Sequence, residues 1–322
     1  MTALSASQQL TSFGSTIQQC HGYNDFEHRL FLCTNERGQD RVLQLLSKCP
    51  IVGNTVVGVS GFLTLNMAAA RGSQAVNGDR EIEHIILLDR SLLVEHFWKN
   101  MKAIMACTND RKQVIHHIIT FVMQNAKAYY ANPPKWWKMN SEEVANSNIQ
   151  LLEAEIKEGL SWLSDDIKFE RIAKIFRNQR FDFFRIDLCA HNAVWSLVQE
   201  MDLYGKTKDL FYDSNCDEYT TDFGLLFSYR KSKEMLTKGH CFYVHAIERI
   251  DPTIANGDSQ LVLECEEIRP LTEEKGEKID RQETNRTPQG SFRDAVGKRR
   301  SLRIAQKVQS LNPKKAKQQV GG

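Results

Sequence analysis

Four short polar stretches of the sequence carry groups that could do chemistry together. The first is Val57-Gly58-Val59-Ser60-Gly61. Its glycines let the backbone turn tightly and let a ligand approach the main chain. A helix starting there would present unpaired N–H groups to that ligand. The second is Asp89, 28 residues beyond Gly61, a carboxylate able to accept hydrogen bonds from both hydroxyls of a ribose. The third, Asp187, suits recognition of an adenine amino group. The fourth, Asp213-Ser214-Asn215, would face the reacting end of a bound cofactor. Each has a plainer explanation beside it. The glycines fit an ordinary strand–helix turn, Asp89 and Asp187 fit helix N-caps, and Asp213 to Asn215 fit an Asx-type turn.

Other chemistries lack their residues. Phe62 and Leu63 stand where a dinucleotide GxGxxG would continue, and no Gly-Lys-Ser/Thr follows to make a phosphate loop. Ser60 has glycine two before it but Phe62 two after it, so the nucleophile elbow GxSxG is incomplete. His116 and His117 are adjacent and would diverge on a helix, no HExxH occurs, and His245 and Glu248 read as ordinary partly buried polar residues. The eight cysteines include no CxxC spacing. No metal site and no disulfide framework is expected from these spacings, and the usage is that of a reduced intracellular protein.

The elements that must position the four stretches follow from periodicity. Thr55 to Val59 is a short β-branched strand, followed by a helix over Leu63–Ala70. His84 to Leu88 is a continuous apolar run, as in a strand buried on both faces, and a helix over Leu92–Cys107 follows. Phe181–Ile186, Asp209–Tyr212, Cys241–Ile247 and Gln260–Cys265 read as further strands, with helices over Ala190–Met201 and Gly224–Thr237. Residues 108–178 contain no strand pattern and read as a helical insertion or cap. Phe26–Leu32 and Arg41–Leu46 make an N-terminal helical layer over residues 1–50, ended by Cys49-Pro50. Strands alternating with helices predict an α/β, Rossmann-like fold over 51–270, with a mainly parallel sheet and helices on both faces. In such sheets ligands bind beyond the carboxyl ends of the strands, where all four stretches fall.

In that order the features resemble the class I S-adenosylmethionine-dependent methyltransferase superfamily, over residues 50–270. Val57 to Gly61 is similar to its glycine-bearing first loop, and Asp89 and Asp187 to the acidic residues after its second and third strands. Asp213-Ser214-Asn215 falls where its fourth-strand motif supplies polar groups. The resemblance implies S-adenosylmethionine as cofactor, held by Gly58, Ser60, Gly61, Asp89 and Asp187, with Asp213 and Asn215 as catalytic groups. It implies methyl transfer to an acceptor, or transfer of the aminocarboxypropyl arm of the same cofactor. The sequence departs from the superfamily at Asn54-Thr55, where an acidic residue usually opens the first motif, and in having two glycines in place of three. It also lacks the Asp/Asn-Pro-Pro-aromatic signature of amino-group methyltransferases. A domain that kept the fold as a non-catalytic binding or interaction protein is therefore a competing expectation, and a nicotinamide-dependent oxidoreductase is a third.

Composition bounds these readings. The 322 residues are 41% hydrophobic and 25% charged, ordinary for a globular chain and incompatible with a wholly disordered one. No run approaches a membrane span, and the first ten residues lack the pattern of a secretory signal. The net charge of +2 conceals a division. Residues 293–322 carry nine Lys or Arg against Asp294 alone, leaving 33 basic and 39 acidic side chains elsewhere. The polar segment 271–322 is expected to be a disordered basic tail. Its partners would be polyanionic, a nucleic acid or an anionic membrane, or an import receptor for the two clusters Lys298-Arg299-Arg300 and Lys314-Lys315-Ala316-Lys317. The expected location is cytoplasmic, or nuclear through the tail in a eukaryotic cell. Pro133 to Lys138, with two tryptophans between lysines, reads either as a substrate cap or membrane contact or as a loop packed on the core.

Overall fold

The computed structural model describes residues 12–15, 17, 30, 32–34, 36–59, 61–73, 80–126, 141–214, 222–250 and 259–269. Ser60, Asn215, the segment 133–138 and the tail 271–322 lie outside the described residues. Short apolar strands buried on both sides form the centre, β1 (Thr55–Val59), β2 (His84–Asp89) and β4 (Lys208–Ser214), and β3 (Phe181–Arg185) lies at one edge. Two longer strands, β5 (Cys241–Ile250) and β6 (Ser259–Ile268), complete a six-stranded sheet of order β3-β2-β1-β4-β5-β6. The first five strands are parallel and β6 is antiparallel to β5. The fold is thus the α/β, Rossmann-like arrangement expected from the alternation.

Alternation along each strand divides the core in two. Val56, Ile85, Leu87, Leu210 and Phe242 point to one layer, and Val57, Ile86, Leu88, Phe211 and Tyr243 to the other. The first layer is covered by α1 (Gln39–Lys48), α2 (Phe62–Arg71), α3 (Leu92–Cys107), α4 (Arg111–Gln124), α5 (Ser141–Lys157) and α6 (Asp166–Arg177). The second is covered by α7 (His191–Leu203) and α8 (Phe223–Thr237). The expected helical insertion corresponds to α4, α5 and α6. It is keyed onto α2 by the side chain of the buried Asn66, whose Oδ1 accepts the Trp162 N–H at 2.8 Å and whose amide donates to Glu155 at 3.3 Å. Trp162 in turn meets Phe62 edge to face and stacks on Phe169.

One expected helix is corrected. Leu30 and Leu32 lie outside any helix and are buried in the first layer of the core. Phe26 to Arg29 and Phe31, the rest of that expected helix, lie outside the described residues. Arg37 then forms a bridge to Val262 at the edge of β6, through bonds to Leu261 and Leu263 of 2.9 Å. All six cysteines among the described residues are free thiols.

At the amino ends of the strands the sheet is tied by a wholly buried ion pair. Arg71 Nε lies 2.6 Å from Asp209 Oδ2, and Arg71 Nη2 2.7 Å from Oδ1. The remaining guanidinium donors reach the carbonyls of Leu46, Cys49 and Pro50, while Asp209 accepts the Val52 N–H at 2.8 Å. All five donors of the planar fork are matched. Removing one partner of such a pair leaves a buried charge and costs about 3–5 kcal/mol. Arg71→Met is therefore expected to lower the unfolding free energy by about that amount, measured by urea denaturation, and a loss below about 1 kcal/mol would contradict this role.

Candidate functional site

The carboxyl ends of β1, β2, β3 and β4 lie side by side, and the strand order reverses between β1 and β4. A crevice outside a parallel sheet opens at that kind of reversal. Gly58, Gly61, Asp89, Asp187 and Asp213 all belong to this edge, so the fold brings the described members of the expected site to one end of the molecule. What each side chain does there differs from residue to residue.

Gly58 is a packing glycine. A Cβ on it would stand 2.4 Å from Thr64 Oγ1 and 2.8 Å from Thr64 Cγ2. Thr64 in turn donates to the Val59 carbonyl at 2.9 Å. The missing side chain thus lets the first turn of α2 close against β1, the use of glycine that brings helix and strand together. Gly61 has φ +119° and ψ 167°, a conformation reserved for glycine, and starts α2 without a side-chain cap. The first N–H of that helix, on Phe62, donates to the Leu32 carbonyl at 2.7 Å. The extended N-terminal segment therefore already occupies one of the donors that the sequence assigns to a ligand.

Asp89 Oδ1 accepts the Ser91 N–H at 2.7 Å. Ser91 caps α3, accepting from Val94 at 3.4 Å. The capping explanation for Asp89 is thereby transferred to its neighbour. Asp187 is not the N-cap of α7 either, since Ala190 holds that position before His191 without a side-chain cap bond. Its Oδ1 accepts the Cys189 N–H at 2.8 Å, and its Oδ2 pairs with Arg90 at 3.2 Å. This pair ties the end of β2 to the end of β3. Arg185, on the last residue of β3, lies 3.7 Å from Glu95 of α3.

Asp213 is turned into the second core layer. It is fully buried, and its Oδ2 accepts the Tyr229 hydroxyl at 2.5 Å and the Tyr243 hydroxyl at 2.7 Å. It locks α8 and β5 to the end of β4. The pairing of β4 with β5 slips here, Tyr212 facing Val244 and Ser214 facing His245, so Asp213 is bulged out of register. Ser214 follows with φ +57°, a left-handed conformation that costs a non-glycine residue about 1 kcal/mol or more. Bulges and such strained residues concentrate beside functional sites.

The residue that sequence reading missed is Glu36. It arrives from the N-terminal segment and is 3% exposed. Its carboxylate accepts the Ser214 hydroxyl at 2.5 Å and the Tyr212 hydroxyl at 2.8 Å. Burial raises the Glu36 pKa above its ordinary value, against the lowering effect of bonds from Ser214, Tyr212 and Thr34. No local signal marks it, since Tyr212 and Ser214 lie more than 170 residues away in the chain. The one hint is the polar Glu36-Arg37-Gly38 directly before an amphipathic helix.

A carboxyl with raised folded-state proton affinity contributes stability that is complete below the ordinary carboxylate range. That contribution is lost as pH rises through the folded value. Glu36→Gln cannot lose it. The stability of wild type relative to Glu36→Gln should therefore fall as pH rises through and beyond the ordinary carboxylate range, read by denaturation at each pH. A difference that is constant with pH would contradict the raised affinity.

No curated protein matches the chain in sequence. Residues 31–259, well over half of the 322, match the family described as Domain of unknown function (DUF7790). The match begins just before the Glu36 segment and ends at the first residue of β6. By that match the chain belongs to the DUF7790 family.

Proposed function

We propose that the crevice at the β1–β4 reversal binds S-adenosylmethionine and that the protein is a group transferase, in the first place a methyltransferase. The observation that carries this reading is the adjacency of the Gly61 turn at the end of β1 to Asp89 at the end of β2, with Ser91 relieving Asp89 of the cap. The donor set suits the cofactor. Asp89 supplies a carboxylate at the end of β2, the turn at Gly61 on neighbouring β1 admits close backbone approach, and Asp187 with Arg90 stands at the next strand end. When bound, the cofactor supplies an activated methyl on a sulfonium, so the substrate nucleophile attacks that carbon while the carbon–sulfur pair leaves with sulfur. The protein's part is positioning and exclusion of water. Glu36 is buried behind Ser214, so in this reading the proton of an acceptor passes to it through the Ser214 hydroxyl that donates to its carboxylate. Asp213, held by two tyrosines, acts in this account as a positioning residue. The same crevice would serve aminocarboxypropyl transfer.

A non-catalytic binding protein on the same fold is the second reading. The engagement of the Phe62 N–H by Leu32 and the pairing of Asp187 with Arg90 favour it. Among the described residues, no helix is long and apolar enough to cross a membrane. Contacts of the basic tail with a nucleic acid, an anionic membrane or an import receptor remain part of either proposal, as does a cytoplasmic or nuclear location. Calorimetric titration with S-adenosylmethionine and S-adenosylhomocysteine separates the two readings. Micromolar binding, weakened about tenfold (1.4 kcal/mol) by Asp89→Ala, is expected for the transferase. Absence of binding at millimolar ligand would overturn it in favour of the binding protein.

A further inference from the structure

The β5–β6 hairpin carries a cluster that the proposed crevice does not use. In the antiparallel register His245 stands directly opposite Glu264, and Glu266 follows two residues along the same face. A nitrogen of His245 and one carboxylate oxygen from each glutamate lie within 4.8 Å of one another. We propose that His245, Glu264 and Glu266 form a binding site for a divalent transition-metal ion.

Three features argue for it. The ligands sit on neighbouring, fully hydrogen-bonded strands, so their Cα positions are fixed by the ladder. Donors bound about 2.0–2.2 Å from one ion lie about 3–3.5 Å apart, and side-chain torsions alone can close the difference. His245 and Glu264 are half-buried, so a cation between them is partly withdrawn from competing water. The imidazole is also held in plane by Tyr243, whose ring stacks on it at 4.7 Å and 12° and whose hydroxyl is anchored on Asp213.

Two carboxylates projecting from one face of a hairpin also repel one another and favour a shared countercharge. Arg249 provides part of it by donating to Glu264. A divalent ion would serve both carboxylates at once and displace that guanidinium. One imidazole with two carboxylates suits manganese, iron, cobalt or zinc better than the all-oxygen preference of magnesium and calcium. Three protein ligands leave positions for water or for an anionic ligand, the open arrangement of a reactive rather than a purely structural ion.

From spacing alone no metal site is expected and His245 reads as an ordinary partly buried residue, because His245 and Glu264 are 19 positions apart and meet only through the register. The test is titration of the full chain with cobalt(II), followed by calorimetry and visible absorption. The proposal expects one ion per chain, with affinity at least tenfold weaker in His245→Ala and in the exposed Glu266→Gln. Arg249→Gln, which releases Glu264 from its ion pair, should bind more tightly. The proposal is overturned by absence of binding, or by affinity unchanged in both ligand variants. Thiolate-to-cobalt charge-transfer bands would likewise overturn it by placing the ion on cysteines.

Discussion

The fold rests on a buried charge that must be answered at its amino-terminal edge. Arg71 closes α2, Asp209 opens β4, and the carbonyls between Leu46 and Pro50 close α1. One guanidinium therefore fixes where three elements begin or end, and its face also lies 4.5 Å over the ring of Phe242 on β5. The loop it encloses has no room for variation. A Cβ on Gly53 would stand 2.3 Å from the Lys208 carbonyl oxygen. Replacing such a pair with apolar groups is not in general unfavourable, but here the carbonyls and N–H groups around it would lose their partners as well. Its particular contribution is positional, since β1 and β4 leave this knot as adjacent parallel strands.

From the knot, β1 and β4 run to the opposite edge, where the sheet changes winding direction and the candidate site lies. The closeness of α2 to β1 is set by Gly58 and Thr64. The N-terminal segment then crosses the same edge, touching the start of α2 through Leu32, the end of β4 through Glu36 and the edge of β6 through Arg37. It acts as a strap over the carboxyl ends on the α2 side, while Asp213 secures the α8 side from beneath. The strained Ser214 sits between the two.

Much of this arrangement was legible in the sequence because its signals are local. The run Ile85 to Leu88 marks a strand buried on both faces, and each of its residues is at most 1% exposed. The alternation of strands and helices gave the parallel sheet and placed Gly61, Asp89, Asp187 and Asp213 at one end. The roles of these residues were less legible, because a capping, turn-forming or binding aspartate looks the same in sequence. Asp89 yields the cap to Ser91, Asp187 is engaged by Arg90, and Asp213 is engaged by tyrosines on α8 and β5. Glu36 and the His245 cluster escaped altogether, since each is assembled by pairings between distant segments. Leu30 and Leu32 are expected in a helix but lie outside any helix, because a short apolar run fits either period.

The central claim is that the ends of β1 and β2 form a cofactor crevice beneath the N-terminal strap. Hydrogen-exchange protection of the full chain, with and without S-adenosylhomocysteine, tests it most directly. The account predicts added protection at Gly61 to Thr64, at Asp89 to Ser91 and in the Leu32–Arg37 strap, with β5 and β6 unchanged. Protection that is absent from these segments, or confined to α7 and α8, would contradict it.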